Sequence, residues 1–167
     1  TEGRAVWDER GVAYAYDRLL LATGGRPRVM TVKGADSEGV RYYRSLEDYL
    51  LLKSRLDRLQ HALVLGGGFI ALELAAALRH AGKEVTLAYP RHYPLQRVLP
   101  PDLGLFIADY YRQHGVETIS DEVVTSFEEQ AGLILAHTRQ GNVITTQMAM
   151  VGIGIEPQVD LAEAAGL

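Results

Sequence analysis

The sequence predicts an α/β fold, a parallel sheet with helices on both faces and an antiparallel β-meander inserted into it. Three observations carry this expectation. Residues 61–89, HALVLGGGFIALELAAALRHAGKEVTLAY, read as strand, helix and strand in about the length that a parallel crossover requires. A second helix, opened by Pro100-Pro101-Asp102 and ended near His114-Gly115, leads into a third parallel strand at Val116–Ile119. From Asp121 the hydrophobic period becomes two, which predicts antiparallel strands over 123–127, 133–138 and 142–146, with turns at Gln130-Ala131-Gly132 and Gln140-Gly141.

The central unit carries the chemistry. His61–Leu65 is apolar on both faces, as a strand inside a parallel sheet must be, and it stops at Gly66, Gly67 and Gly68. Beyond it Ile70, Leu74, Ala77 and Leu78 share one helical face, and Gly82 supplies a left-handed stop before the second strand at Val85–Ala88. Gly66, Gly68 and Ala71 fit the pattern GxGxx[GA]: a tight turn, a close approach for a pyrophosphate, and a small residue where helix meets strand. The pattern follows a strand and opens a helix, which is the context it needs, so the domain reads as Rossmann-like. Phosphate would sit against the free N–H groups at the positive end of that helix. The competing reading is a glycine turn with a structural role alone.

The rest of the chain frames this unit. Residues 4–7, 11–16 and 18–22 read as three short strands, followed by a small-residue turn at 22–27 and an irregular connector over 28–44. Ser45 is placed to cap a helix with Asp48 as its capping-box partner; the helix runs to about Leu59 with Leu46, Tyr49, Leu52, Leu56 and Leu59 expected on its buried side. Met148–Ile153 is a last apolar strand returning to the parallel sheet. It enters Gly152-Ile153-Gly154, a second glycine turn at a strand's carboxyl end, where open α/β sheets bind their ligands.

Composition sets the bounds. At 167 residues, with 47% hydrophobic and 23% charged residues, the chain suits one globular core. A net charge of -4 without a basic stripe argues against nucleic acid. There is no cysteine, so thiol chemistry, disulfides and cysteine-ligated metals are excluded within these residues, and no metal site is expected. No apolar run is long enough to span a bilayer and no signal peptide is legible from Thr1-Glu2-Gly3-Arg4 onward, so the expected location is cytoplasmic.

The succession of motifs resembles the pyridine-nucleotide-binding domain of the FAD-dependent pyridine nucleotide-disulfide oxidoreductases, over nearly the whole chain. Residues 16–24 (YDRLLLATG) are similar to the exit from the FAD domain, residues 66–73 (GGGFIALE) to the nicotinamide-dinucleotide fingerprint, and residues 151–157 (VGIGIEP) with 161–167 (LAEAAGL) to the return. Residues 97–103 (RVLPPDL) and the Tyr89-Pro90 pair are similar to the ferredoxin and rubredoxin reductase branch. The resemblance implies that residues 1–27 are the tail of an FAD domain, 28–60 a connector and helix, 61–157 the dinucleotide-binding core and 158–167 the way back. It implies an NAD(P)H cofactor passing hydride to a flavin held by the neighbouring FAD domain of a longer chain, with Phe69 at the nicotinamide and Glu73 near the flavin, paired with a lysine from outside this chain. FAD is not expected to bind these residues stably, the chain alone is expected to be inactive, and the electron acceptor is left open.

Two departures bear on this. The FAD domain's own glycine fingerprint is absent, so the chain is expected to be a middle piece. Residues 85–101 contain no Asp or Glu to accept the adenosine ribose hydroxyls of NAD; Arg91, His92 and Arg97 stand there beside Tyr89, and a guanidinium at Arg91 suits the 2′-phosphate of NADP. The expected contacts are therefore Gly66, Gly67, Gly68, Phe69, Ile70, Ala71, Glu73, Tyr89, Arg91, Arg97, Gly152, Ile153 and Gly154, with a lean toward NADPH. The alternatives are a core aromatic for Phe69, solvated side chains for Glu73 and Arg91, and, for the whole, a dinucleotide-sensing module without turnover.

Overall fold

A computed structural model of the protein describes residues 3–167; Thr1 and Glu2, at the head of the polar opening noted above, lie outside the described residues. The chain divides into two compact units, residues 3–26 with Glu156–Leu167, and Pro27–Ile155. In the first, β1 (Ala5–Trp7) and β2 (Ala13–Ala15) form an antiparallel hairpin whose turn is held by the Asp8 carboxylate, which accepts from the Arg10 and Val12 amides at 2.9 Å. The strand expected over 18–22 does not form: Leu20 is 85% exposed and no neighbouring strand pairs with the segment. Instead β3 (Gly25–Pro27), expected as part of a turn, pairs with Ile155–Pro157.

The second unit contains β4 (Val40–Tyr42), α1 (Leu46–Arg55), β5 (His61–Leu65), α2 (Phe69–His80), β6 (Glu84–Ala88), α3 (Pro101–Gln113), β7 (Val116–Ile119), β8 (Val124–Gln130), β9 (Leu133–Thr138), β10 (Val143–Thr146) and β11 (Met148–Val151). Five strands make a parallel sheet in the order β4-β11-β5-β6-β7, and β8, β9 and β10 make the expected antiparallel meander. The α/β class, the parallel core and the inserted meander agree with the sequence.

The distribution of helices differs from the expected one. On one face Ala62, Val64, Val85, Leu87, Met148 and Met150 meet α2, together with Leu52 of α1, Leu56 just beyond its end, and Ile107 and Tyr111 of α3. On the other, Leu63, Leu65, Ala88, Ala149 and Val151 meet Val124, Phe127, Ile134 and Ala136 of the meander. Handedness explains the segregation. The steps β4 to β5, β5 to β6 and β6 to β7 all run in one direction along the sheet, so right-handed crossovers place α1, α2 and α3 on one face. Only the return from β7 to β11 runs the other way, and that crossover is the meander.

The capping box forms as expected, with the Ser45 amide donating to Asp48 Oδ2 at 2.7 Å. The buried side of α1 is narrower than its spacing suggests: Leu46 is 66% and Tyr49 42% exposed, whereas Leu59 is buried beyond the helix, after the 3-10 turn Leu56–Arg58. The segment 28–44 is not irregular throughout, because Val40–Tyr42 forms the sheet edge against β11.

Candidate functional site

The carboxyl ends of β5 and β11 lie side by side at the point where strand order reverses, which is where open α/β sheets leave a crevice. Both glycine turns open there. The Gly66 amide donates to the Ala88 carbonyl at 2.9 Å, and the Gly152 amide to the Leu65 carbonyl at 2.7 Å. Gly66 has φ +128, and a Cβ there would collide with the Gly152 carbonyl and lie 3.3 Å from Ala71 Cβ. A Cβ at Gly152 would lie 3.2 Å from the same Ala71 methyl. Gly66, Ala71 and Gly152 are thus one contact between the two turns, and their small size is required by packing.

Gly67 is also spoken for by the protein. A Cβ there would lie 3.2 Å from Tyr89 Cβ, and its carbonyl accepts from the Leu95 amide at 2.7 Å. Gly68 differs: it caps α2 with φ -94 and ψ 178, a conformation open to any residue, and a Cβ there would have no heavy atom within 4 Å. Nothing in the fold requires glycine at 68. The space above it faces the first turn of α2, whose leading amides have no intrahelical acceptor and which carries no acidic side chain. The partial positive charge at that end is therefore uncompensated from within the helix.

Phe69, 62% exposed, and Ile70, 37% exposed, stand on the rim, so Phe69 is not a core aromatic. Glu73, one turn further along α2, lines a depression of about 370 Å³ with Tyr43, Arg44, Ile70, Leu74 and Ala77. Its charge adds to burial in raising the Tyr111 phenol, which donates to the Leu72 carbonyl at 3.0 Å. Ile153 is exposed in the second turn, and the Gly154 carbonyl accepts from the Arg28 amide at 2.9 Å.

On the other side of the glycine turn, Tyr89 is 1% exposed and packs beneath Gly67, so its side chain supports the loop from below. Burial pushes its phenol up, against the opposing charge of Arg112. Arg91 and Arg97 are exposed and form no ion pair with any described residue. Leu95 and Asp121, which the sequence did not single out, shape this side together with His92 of the basic loop. Leu95, buried at φ +58, ties the loop to Gly67; His92 Nδ1 lies 2.9 Å from Asp121 Oδ2; and the Asp121 amide donates to the Arg91 carbonyl at 3.0 Å. Among the described residues no group of His, Asp and Glu could hold a metal ion.

A family model described as pyridine nucleotide-disulphide oxidoreductase matches residues 2–167. The chain belongs to this family. Within it the likeness is to the ferredoxin and rubredoxin reductase branch. Putidaredoxin reductase from Pseudomonas putida is 37% identical over 163 residues, 94% of this chain and 39% of that protein. The ferredoxin reductase of a Rhodopseudomonas palustris system superposes with a TM-score of 0.89 at 32% identity, covering 99% of this chain and 41% of that one. An engineered water-forming NADPH oxidase bound to NADPH superposes with a TM-score of 0.82 at 29% identity, over 96% of this chain and 36% of that one. This member of the oxidoreductase family therefore spans about two fifths of the length of such relatives. Fold and kinship together support a nicotinamide-dinucleotide-binding domain of an FAD-dependent oxidoreductase. No helix among the described residues is long and apolar enough to cross a membrane.

Proposed function

We propose that this chain binds NAD(P)H across the carboxyl edge of its parallel sheet and presents the nicotinamide for hydride transfer to an FAD held elsewhere in a longer protein. The observation that carries the proposal is Gly68, a helix cap with open space where a side chain would be, above amides that lack acceptors. A pyrophosphate fits that space and that charge. Gly66, Gly67, Ala71 and Gly152 hold the two turns at the required separation. Ile70, Ile153 and Gly154 border the path toward the depression at Glu73, and Phe69 screens the nicotinamide from water on the exposed side. Glu73 faces the flavin side and takes a cationic partner from outside these residues. The cofactor supplies the hydride; the chain orients it.

At the adenosine end, Arg91 and Arg97 receive the 2′-phosphate, and NADPH is favoured over NADH. The engineered oxidase bound to NADPH supports this, because its substitutions remove an aspartate and introduce arginines at two positions six residues apart, the separation of Arg91 and Arg97. The test is equilibrium titration of the chain and of Arg91→Glu with NADPH and NADH. Charge reversal is expected to lower the NADPH to NADH affinity ratio by about tenfold or more, from loss of a charge-assisted hydrogen bond of roughly 1.5–3 kcal/mol. An unchanged ratio would refute the arginine assignment.

A further inference from the structure

We propose that Asp121 is a second determinant of cofactor choice, opposing Arg91 at the adenosine end; this rests on the dinucleotide-binding reading above. The turn after β7 clasps the turn after β6 at several points. The Asp121 amide donates to the Arg91 carbonyl at 3.0 Å, the Glu122 amide to the Tyr89 carbonyl at 3.1 Å, and Asp121 Oδ2 lies 2.9 Å from His92 Nδ1. Gln140 secures the clasp from the meander, its Nε2 donating to the Asp121 carbonyl at 3.1 Å. Residues 85–101 lack any acidic side chain, so Asp121 brings to this edge a carboxylate that the loop itself does not provide.

A dinucleotide with a 2′-phosphate meets both signs of charge there. Arg91 and Arg97 attract it and Asp121 repels it. His92 lies 2.9 Å from the Asp121 carboxylate and fixes its position beside the Arg91 turn. The other charged or titratable groups around the clasp are fixed by partners or lie behind it. Glu122 is held by the Asn142 side chain and the Val123 amide, Arg112 of α3 by Thr118 and Asp109, and Tyr89 is buried; Arg139 follows β9, and the first turn of α2 adds no acid. The pair is exposed, with 72% of the His92 and 51% of the Asp121 side-chain surface accessible, so each effect is modest. A single charge at such a site corresponds to roughly two- to fivefold in affinity.

The test uses equilibrium titration with NADP⁺ and NAD⁺ at a pH near 8. Asp121→Asn keeps the backbone clasp, because asparagine accepts the left-handed φ of +58. It is expected to raise the NADP⁺ to NAD⁺ affinity ratio two- to fivefold near pH 8. If Asp121→Asn changes both affinities equally, the proposal is overturned. Saturable binding with a ratio that responds to Asp121→Asn but not to Arg91→Glu would uphold Asp121 and refute only the arginine assignment. Binding of neither dinucleotide would overturn both.

Discussion

Gly68→Ala separates binding from folding at the centre of the site. The substituted methyl group enters open space at φ -94 and ψ 178, so neither a clash nor backbone strain accompanies it. Its cost to the fold is limited to a poorer helix cap, offset by the entropy that alanine removes from the unfolded chain, and the net change is expected to stay within about 1 kcal/mol. A pyrophosphate held against the α2 amides has no such latitude, because the methyl group stands between the phosphate and the N–H groups. Losing one charge-assisted hydrogen bond of roughly 1.5–3 kcal/mol weakens binding about 10- to 100-fold. Urea denaturation and fluorescence titration with NADPH, run on the same preparations, measure the two effects. A near-native denaturation midpoint with NADPH affinity equally near native would refute the placement of the phosphate. Gly66→Ala lacks this resolving power, since its Cβ collides with the Gly152 carbonyl and disturbs the fold whether or not a ligand binds there.

Two further outcomes test the packing and electrostatics around the site. Gly104→Ala in α3 would place a methyl group against the Tyr93 ring, 2.8 Å from Cε2, and Tyr93 is buried. Overpacking of about 1–3 kcal/mol, less about 1 kcal/mol of helix propensity, predicts a fall in Tm of several degrees; an increase would contradict it. The Glu122 carboxyl is pushed up by burial, but hydrogen bonds from Asn142, Val123 and Thr138 outweigh this and hold it below the usual carboxylate range. A lowered folded value means that its stabilisation is present above the ordinary glutamate pKa and is lost as pH falls through the folded value. The chain should therefore lose stability more steeply on acidification than Glu122→Gln, and parallel urea-midpoint profiles would refute the role.

What the sequence made legible was local. His61–Ala88 declared itself because an apolar strand, a glycine turn and a 3.6-residue period follow one another within one crossover, and the meander because its period of two runs between glycine turns. The edge strand Val40–Tyr42 has only three residues, and the partner that makes it a strand, starting with Ala149 against Val40, lies far along the chain. Leu46 and Tyr49 follow the helical spacing of buried residues, yet the core meets α1 only at its end, which no periodicity records. His61 opens the strand His61–Leu65 and shares a hydrogen bond with Thr86, itself bonded to Glu117, a relay that exists only once three strands are aligned. At the site, the motif already set Gly66 at the turn, Gly68 at the phosphate approach and Ala71 at the packing position. That Gly152 joins Gly66 and Ala71 in one contact depends on which atoms approach from β11, and the His92 to Asp121 contact joins the ends of two different strands.

The placement of the dinucleotide is tested most directly by following backbone amide resonances of the 167-residue chain while NADPH is added. Binding at the proposed site predicts saturable shifts largest at Gly67, Gly68, Phe69, Ile70 and Ala71, with a second group at Gly152, Ile153 and Gly154 and a third around Arg91. Saturable shifts centred elsewhere, or none at any of these amides, would contradict it.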